Sequence, residues 1–193
     1  MSLRVSFELS TADLGHFRTI MREARDAAAE KPQAEVLGAA RKLLSSVAEI
    51  EIPEFVGDRL SRIQTMIDMV EDEEWRLPEE ETLRVVNALA YFGEPEDLIP
   101  DHIPGLGFLD DAIMVELVVR ELRHEIDAFA DFCRFRSVEE KRRGGRDAED
   151  EVTREEWLAV RRRELQSRMR NRRLRERTRR GTKSSGKSPF SLF

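Results

Sequence analysis

Four aspartates, Asp97, Asp101, Asp110 and Asp111, crowd the stretch EPEDLIPDHIPGLGFLDD at residues 94–111. Carboxylate oxygens are the natural ligands of hard divalent cations. The four could converge on Mg2+ or Ca2+ and support a metal-dependent reaction on a phosphorylated substrate. Their spacing matches no calcium-loop pattern, and His102, lying between Pro100 and Pro104, has no partner at ligand spacing. The same acids have an architectural use. Pro95, Pro100 and Pro104 remove backbone donors and stop a helix, and Gly105 and Gly107 permit positive φ. Leu98, Ile99, Ile103, Leu106, Phe108 and Leu109 pull the connection inward. A buried connection needs acceptors for its main-chain amides. Asp97 and Asp101 can supply them, while Asp110 or Asp111 favours the start of the following helix. This second reading accounts for every residue type in the stretch and is the one adopted.

Other constellations are weaker as chemistry. Glu121 with His124 and Asp13 with His16 have the three-residue spacing of a di-metal helical bundle. However, the ELRHEID context of His124 reads as a solvated face of ion pairs. Cys133, in DFCRF, reads as a packed small residue. Neither a glycine-rich phosphate loop nor a G-x-S-x-G elbow is present. Catalysis therefore rests on the aspartates alone, and binding is the favoured class of function.

The binding chemistry lies in an arginine-rich segment. Residues 154–187 carry fourteen Lys and Arg against four Glu, a charge of +10, so residues 1–153 hold −16 of the net −6. Guanidinium groups bind phosphate in bidentate fashion. Arg161, Arg162, Arg163, Arg168, Arg170, Arg172, Arg173, Arg175, Arg177, Arg179 and Arg180 are the expected nucleic-acid contacts. An anionic membrane surface is the alternative partner, because Trp157, Leu158, Leu165, Met169 and Leu174 form a broken apolar seam. A third outcome is that the arginines fold back on the protein's own acidic body. Farther on, the terminal Phe190, Leu192 and Phe193 of SPFSLF resemble the short peptide by which bacterial proteins dock on the DNA sliding clamp. Pro189 stands where that peptide usually has Gln.

The elements that must carry these residues are helical. Of the chain, 40% is hydrophobic and 37% charged, and Gly and Pro are scarce. Ser10 and Asp13 form a capping-box pattern, which predicts a first helix from Thr11 to Glu30. Pro32 ends it, and a second helix follows from Ala34. Pro53 and Pro78 open a third and a fourth. Apolar stripes run through Phe55, Leu60, Ile63 and Ile67 in the third and Leu83, Val86 and Leu89 in the fourth. The stretch from Leu109 to Phe135 reads as one long helix.

The expected architecture is all-α. A compact bundle of about five helices with a long buried Pro/Gly/Asp loop occupies residues 1–136. A charged linker follows at 137–153, an Arg-rich helix at 154–180, and a flexible tail at 181–193. No apolar run is long enough to cross a bilayer. Arg4 and Glu8 interrupt the N-terminal apolar residues, and the single cysteine excludes an internal disulfide framework. The expected compartment is cytoplasmic, with the basic helix drawing the protein to the membrane periphery or the nucleoid.

Residues 88–119, ALAYFGEPEDLIPDHIPGLGFLDDAIMVELVV, resemble the signature of the YkvA-like family of bacterial helical domains. The shared pattern is a Tyr-containing turn at Tyr91, Asp97-Leu98-Ile99-Pro100-Asp101, Ile103-Pro104, and Gly107-Phe108-Leu109-Asp110-Asp111 before an apolar helix. Where many members have Ser-Pro-Ile-Asp, this chain has Glu94-Pro95-Glu96-Asp97. The resemblance covers residues 84–122 of the body. It implies a helical domain, joined to membrane segments in some members, without an established catalytic activity.

Overall fold

The computed structural model describes residues 8–48, 50, 52–93, 99, 103, 108–143 and 149–184. Among them the chain is all α. It divides into two compact units, residues 1–71 with 77–121 and residues 72–76 with 122–193.

The first unit contains α1 (Thr11–Ala27), α2 (Gln33–Ala48), α3 (Glu54–Glu71), α4 (Glu79–Leu89), a 3-10 turn at Ala90–Gly93 and α5 (Leu109–Glu121). α1 begins where the capping box places it. Ser10 N donates to Asp13 Oδ2 at 2.8 Å, and Asp13 N donates to Ser10 Oγ at 3.2 Å. Pro53 and Pro78 stand immediately before α3 and α4, and both carbonyls accept from the first turns that follow. α3 packs on α2 and α5, and the 3-10 turn contacts both α1 and α2. That contact is close at Gly93, where a Cβ would meet Ala39 Cβ at 3.0 Å, so a side chain there would wedge the turn away from α2. Leu60, Ile63, Met66, Ile67, Leu89, Met114 and Val115 are buried at the centre of this unit. Two residues assigned to the apolar stripes lie outside: Phe55 is 48% and Leu83 59% exposed. Phe55 instead sits under the Arg59 guanidinium, 5.9 Å from its ring centroid.

The second unit is built from α6 (Arg123–Arg143), α7 (Glu149–Ser184) and the turn Asp72–Arg76. The single helix expected from Leu109 to Phe135 is therefore two, interrupted at Leu122, whose carbonyl accepts from Ile126 N at 2.9 Å. Residues 137–153, read from their charge as a linker, are helical at both ends, because α6 runs to Arg143 and α7 starts at Glu149. α6 and α7 pack along each other. Trp75 is fully buried, with ring centroids 5.1 Å from Phe132 and 6.0 Å from Phe129. Leu158, Leu165 and Met169 of α7 are buried, and Trp157 stacks edge-on to Phe135 at 5.3 Å. Much of the seam that sequence alone left broken is thus core, while Leu174 stays 56% exposed. No described helix is long and apolar enough to cross a membrane.

Candidate nucleic-acid interface

α7 carries the arginines, and its packing sorts them. Arg162 donates through NH1 to the Glu74 carbonyl at 2.7 Å, and Arg173 pairs with Glu125 at 3.1 Å. Their side chains are only 12% and 11% exposed. Arg161 lies over the Phe135 ring at 5.2 Å and pairs with Glu164 at 2.8 Å. Arg162 and Arg173 are thus interior to the second unit, and Arg161 is half-buried. Gln166 completes the inward face by donating from Nε2 to the carbonyls of Trp75 and Arg76 at 2.9 and 3.2 Å. That contact holds the turn in which Arg76 has the uncommon φ of 46°.

The ion pairs around this turn set its electrostatics. Partial burial would raise the Glu74 pKa, but hydrogen bonds from Arg154 and Arg136 outweigh it and hold the carboxyl below its ordinary value. Arg136 and Arg154 are shifted up in return. For Arg136, burial opposes the hydrogen bonds it donates to Asp72 and Glu74; for Arg154, the bonds it donates to Glu74 and Glu140 dominate.

The remaining arginines face outward. Arg163, Arg168, Arg170, Arg172, Arg175, Arg177 and Arg179 are exposed. Arg168, Arg172, Arg175 and Arg179 recur at four- and three-residue steps and so form one row, each step rising roughly 4.5–6 Å along the axis. Arg163, Arg170 and Arg177, seven residues apart, form a second row. Arg163 donates to its own helix at Ala159 O, and Arg168 pairs with Glu164. Arg170, Arg172, Arg175 and Arg177 make no ion pair or hydrogen bond among the described residues. The side chain of Arg180 lies outside the described residues.

Where the first row passes the start of α6, a cavity of about 270 Å3 opens, lined by Arg123, His124, Arg172, Arg175, Glu176 and Arg179. Glu176 pairs with Arg123 and lies 2.9 Å from His124 Nε2. The ELRHEID context predicts a solvated face for His124 and its neighbours. Instead His124 is 15% exposed and Glu125 is fully buried, because α7 covers that side of α6. Charge pattern alone could not reveal this, since the partner acid or base lies about fifty residues away.

Of the four aspartates, Asp97 and Asp101 lie outside the described residues. Asp110 and Asp111 are buried in the first turn of α5. Asp110 Oδ2 accepts from Ile99 N at 3.1 Å and faces the Tyr91 hydroxyl at 3.4 Å. That carboxylate ties the connection back onto the helix start. The preceding residue, Phe108, is buried with φ 63°, a left-handed conformation unusual for a bulky side chain. Among the described residues no three His, Cys, Asp or Glu side chains come together as a metal site. Glu121 and His124 of the E-x-x-H pair bond to Arg25 and Glu176 respectively.

The region around Asp110 is also where similarity to other proteins is found. Residues 83–117 match the model of DUF1232, a protein family of unknown function. The DUF1232 segment runs from α4 through the 3-10 turn and the Pro/Gly/Asp connection into α5, so it lies wholly in the first unit. The arginine rows of α7 lie beyond it. No curated protein and no solved structure matches the chain.

Proposed function

We propose that the protein acts by binding nucleic acid through α7, without catalysis of its own. The observation that carries this reading is the set Arg170, Arg172, Arg175 and Arg177, exposed guanidinium groups with no acidic partner among the described residues. Uncompensated arginines repeated along one helix create a strip of positive potential that releases counterions when it meets phosphates. A membrane surface fits less well. The exposed apolar side chains of α7, Val160 and Leu174, are fourteen residues apart with arginines between them, which is too sparse for a membrane-buried face. The YkvA-like resemblance of residues 88–119 is part of the same proposal and supplies an architectural body, in which Asp110 binds main chain.

Fluorescence anisotropy with labelled single-stranded RNA, single-stranded DNA and duplex DNA over a salt series tests the reading. Affinity is expected to fall linearly in log–log form with salt, and R170Q/R177Q is expected to flatten the slope by about 1.4–1.8. Absence of binding at low salt, or tighter binding to anionic vesicles than to any nucleic acid, overturns it. The terminal Phe190, Leu192 and Phe193 lie outside the described residues. As a docking peptide for the sliding clamp, they are expected to lose clamp binding when Leu192 and Phe193 are deleted, with nucleic-acid affinity unchanged.

A further inference from the structure

The cavity beside the start of α6 differs from the open arginine rows in shape and in what it contains. Arg172, Arg175, Glu176 and Arg179 stand at i, i+3, i+4 and i+7 on α7, so all four project to one side of the helix. Arg123 and His124 close the opposite wall. The lining therefore holds four guanidinium groups and an imidazole against a single carboxylate. That carboxylate, Glu176, is bonded to the α6 wall, to Arg123 and His124, leaving Arg172 and Arg175 without an acid among the described residues.

A concave site with excess guanidinium charge favours a compact, multiply charged oxyanion. Several donors can then meet several oxygens at once, which an extended phosphodiester with one charge per unit does not allow. A volume of about 270 Å3 has room for a phosphate with part of an attached sugar, but not for a stacked helix end.

We propose that this cavity is a receptor for a phosphate monoester, with Arg172 and Arg175 as its principal donors and Glu176 as an internal counter-ion competing for Arg123. The terminal phosphate of a nucleic-acid strand and a free phosphate or mononucleotide share this chemistry. Seating a strand end here rests on the nucleic-acid reading of α7 and gives it polarity: the end enters the cavity and the chain continues along the arginine row. Glu176 sets the affinity, because an incoming dianion meets its repulsion and must draw Arg123 from it.

The test uses the full-length protein and compares one labelled single-stranded oligonucleotide carrying a 5′-phosphate with the same strand ending in a 5′-hydroxyl, alongside a 3′-phosphate form. Inorganic phosphate and a nucleoside monophosphate serve as competitors. One terminal phosphate form is expected to bind about tenfold more tightly than the hydroxyl form at equal salt. R172Q/R175Q is expected to erase that preference, with circular dichroism and thermal midpoint unchanged because both side chains are exposed. E176Q is expected to strengthen monoester binding by removing the competing charge. Equal affinity for all strand ends, together with no competition by phosphate or mononucleotide, overturns the cavity while leaving the nucleic-acid reading intact. Monoester binding that depends on Arg172 and Arg175 but is not accompanied by any strand binding supports the cavity and overturns the nucleic-acid reading.

Discussion

Single residues in this protein act through what surrounds them, and three show how. Trp75 is fully buried, yet its Nε1 has no hydrogen-bond partner among the described residues, so its contribution is packing against Phe129 and Phe132. W75A is expected to cost about 3–5 kcal/mol in urea unfolding of the second unit, and W75F much less, since the ring stack survives and no hydrogen bond is lost. Glu74 gives a pH signature. Its folded pKa lies below 4.5, so its stabilisation is fully present above that unfolded value and disappears as pH falls through the folded one. The thermal midpoints of wild type and E74Q are therefore expected to differ at neutral pH and to converge in acid. Asp110 is the residue-scale answer to the aspartate-rich stretch: one carboxylate oxygen accepts from a connection amide eleven residues upstream. Its type and its place at a helix start were legible in the sequence. Its partner was not, because the bonded amide belongs to a segment whose path only packing determines.

Among elements, the α6–α7 pair encloses a buried ion pair. Glu125 has no exposed side-chain surface, and Arg173 reaches it from α7. Burying a carboxylate is unfavourable unless a cation and further donors accompany it, so removing one partner leaves an uncompensated charge. R173M is expected to destabilise the pair by about 3–5 kcal/mol, whereas E125L/R173M recovers most of that loss; chemical denaturation followed by far-UV circular dichroism measures both. Recovery in the double variant would identify the pair as a device of register, and equal loss in both would show that it contributes net stability. The helix boundaries show the same division between local and distant causes. Ser10 with Asp13, Pro53 and Pro78 announced α1, α3 and α4, because caps and prolines act within one turn. The break at Leu122 had no such signal, since residues 109–135 read as one uninterrupted helical pattern.

At the scale of the molecule, the arginine-rich helix is part of a core. Leu158, Leu165 and Met169 are buried, and Gln166 and Arg162 bond to the main chain of the Asp72–Arg76 turn. Truncation after Arg143 is thus expected to do more than remove charge. It uncovers Trp75, Phe132 and Phe135, and a lowered thermal midpoint with aggregation should follow. Loss of nucleic-acid binding in that truncation would not isolate the arginines, whereas glutamine substitutions on the exposed rows do. The positive charge of this region is partly compensated internally: Arg154 and Arg173 meet Glu74, Glu140 and Glu125 within their own unit. What is left over among the described residues is Arg170, Arg172, Arg175 and Arg177.

The helical class and the capped and proline-led helix starts are legible in the residue order because they follow from interactions that span a few residues, and the concentration of arginine in one segment is read there directly. Tertiary structure alone decided that Asp72–Arg76 joins the unit of α6 and α7, that Glu125 is interior, and which arginines face outward. The physical reason is that a side chain's exposure depends on which distant surface covers it. A helix carrying arginine on nearly every side presents no stripe from which that covering surface can be read.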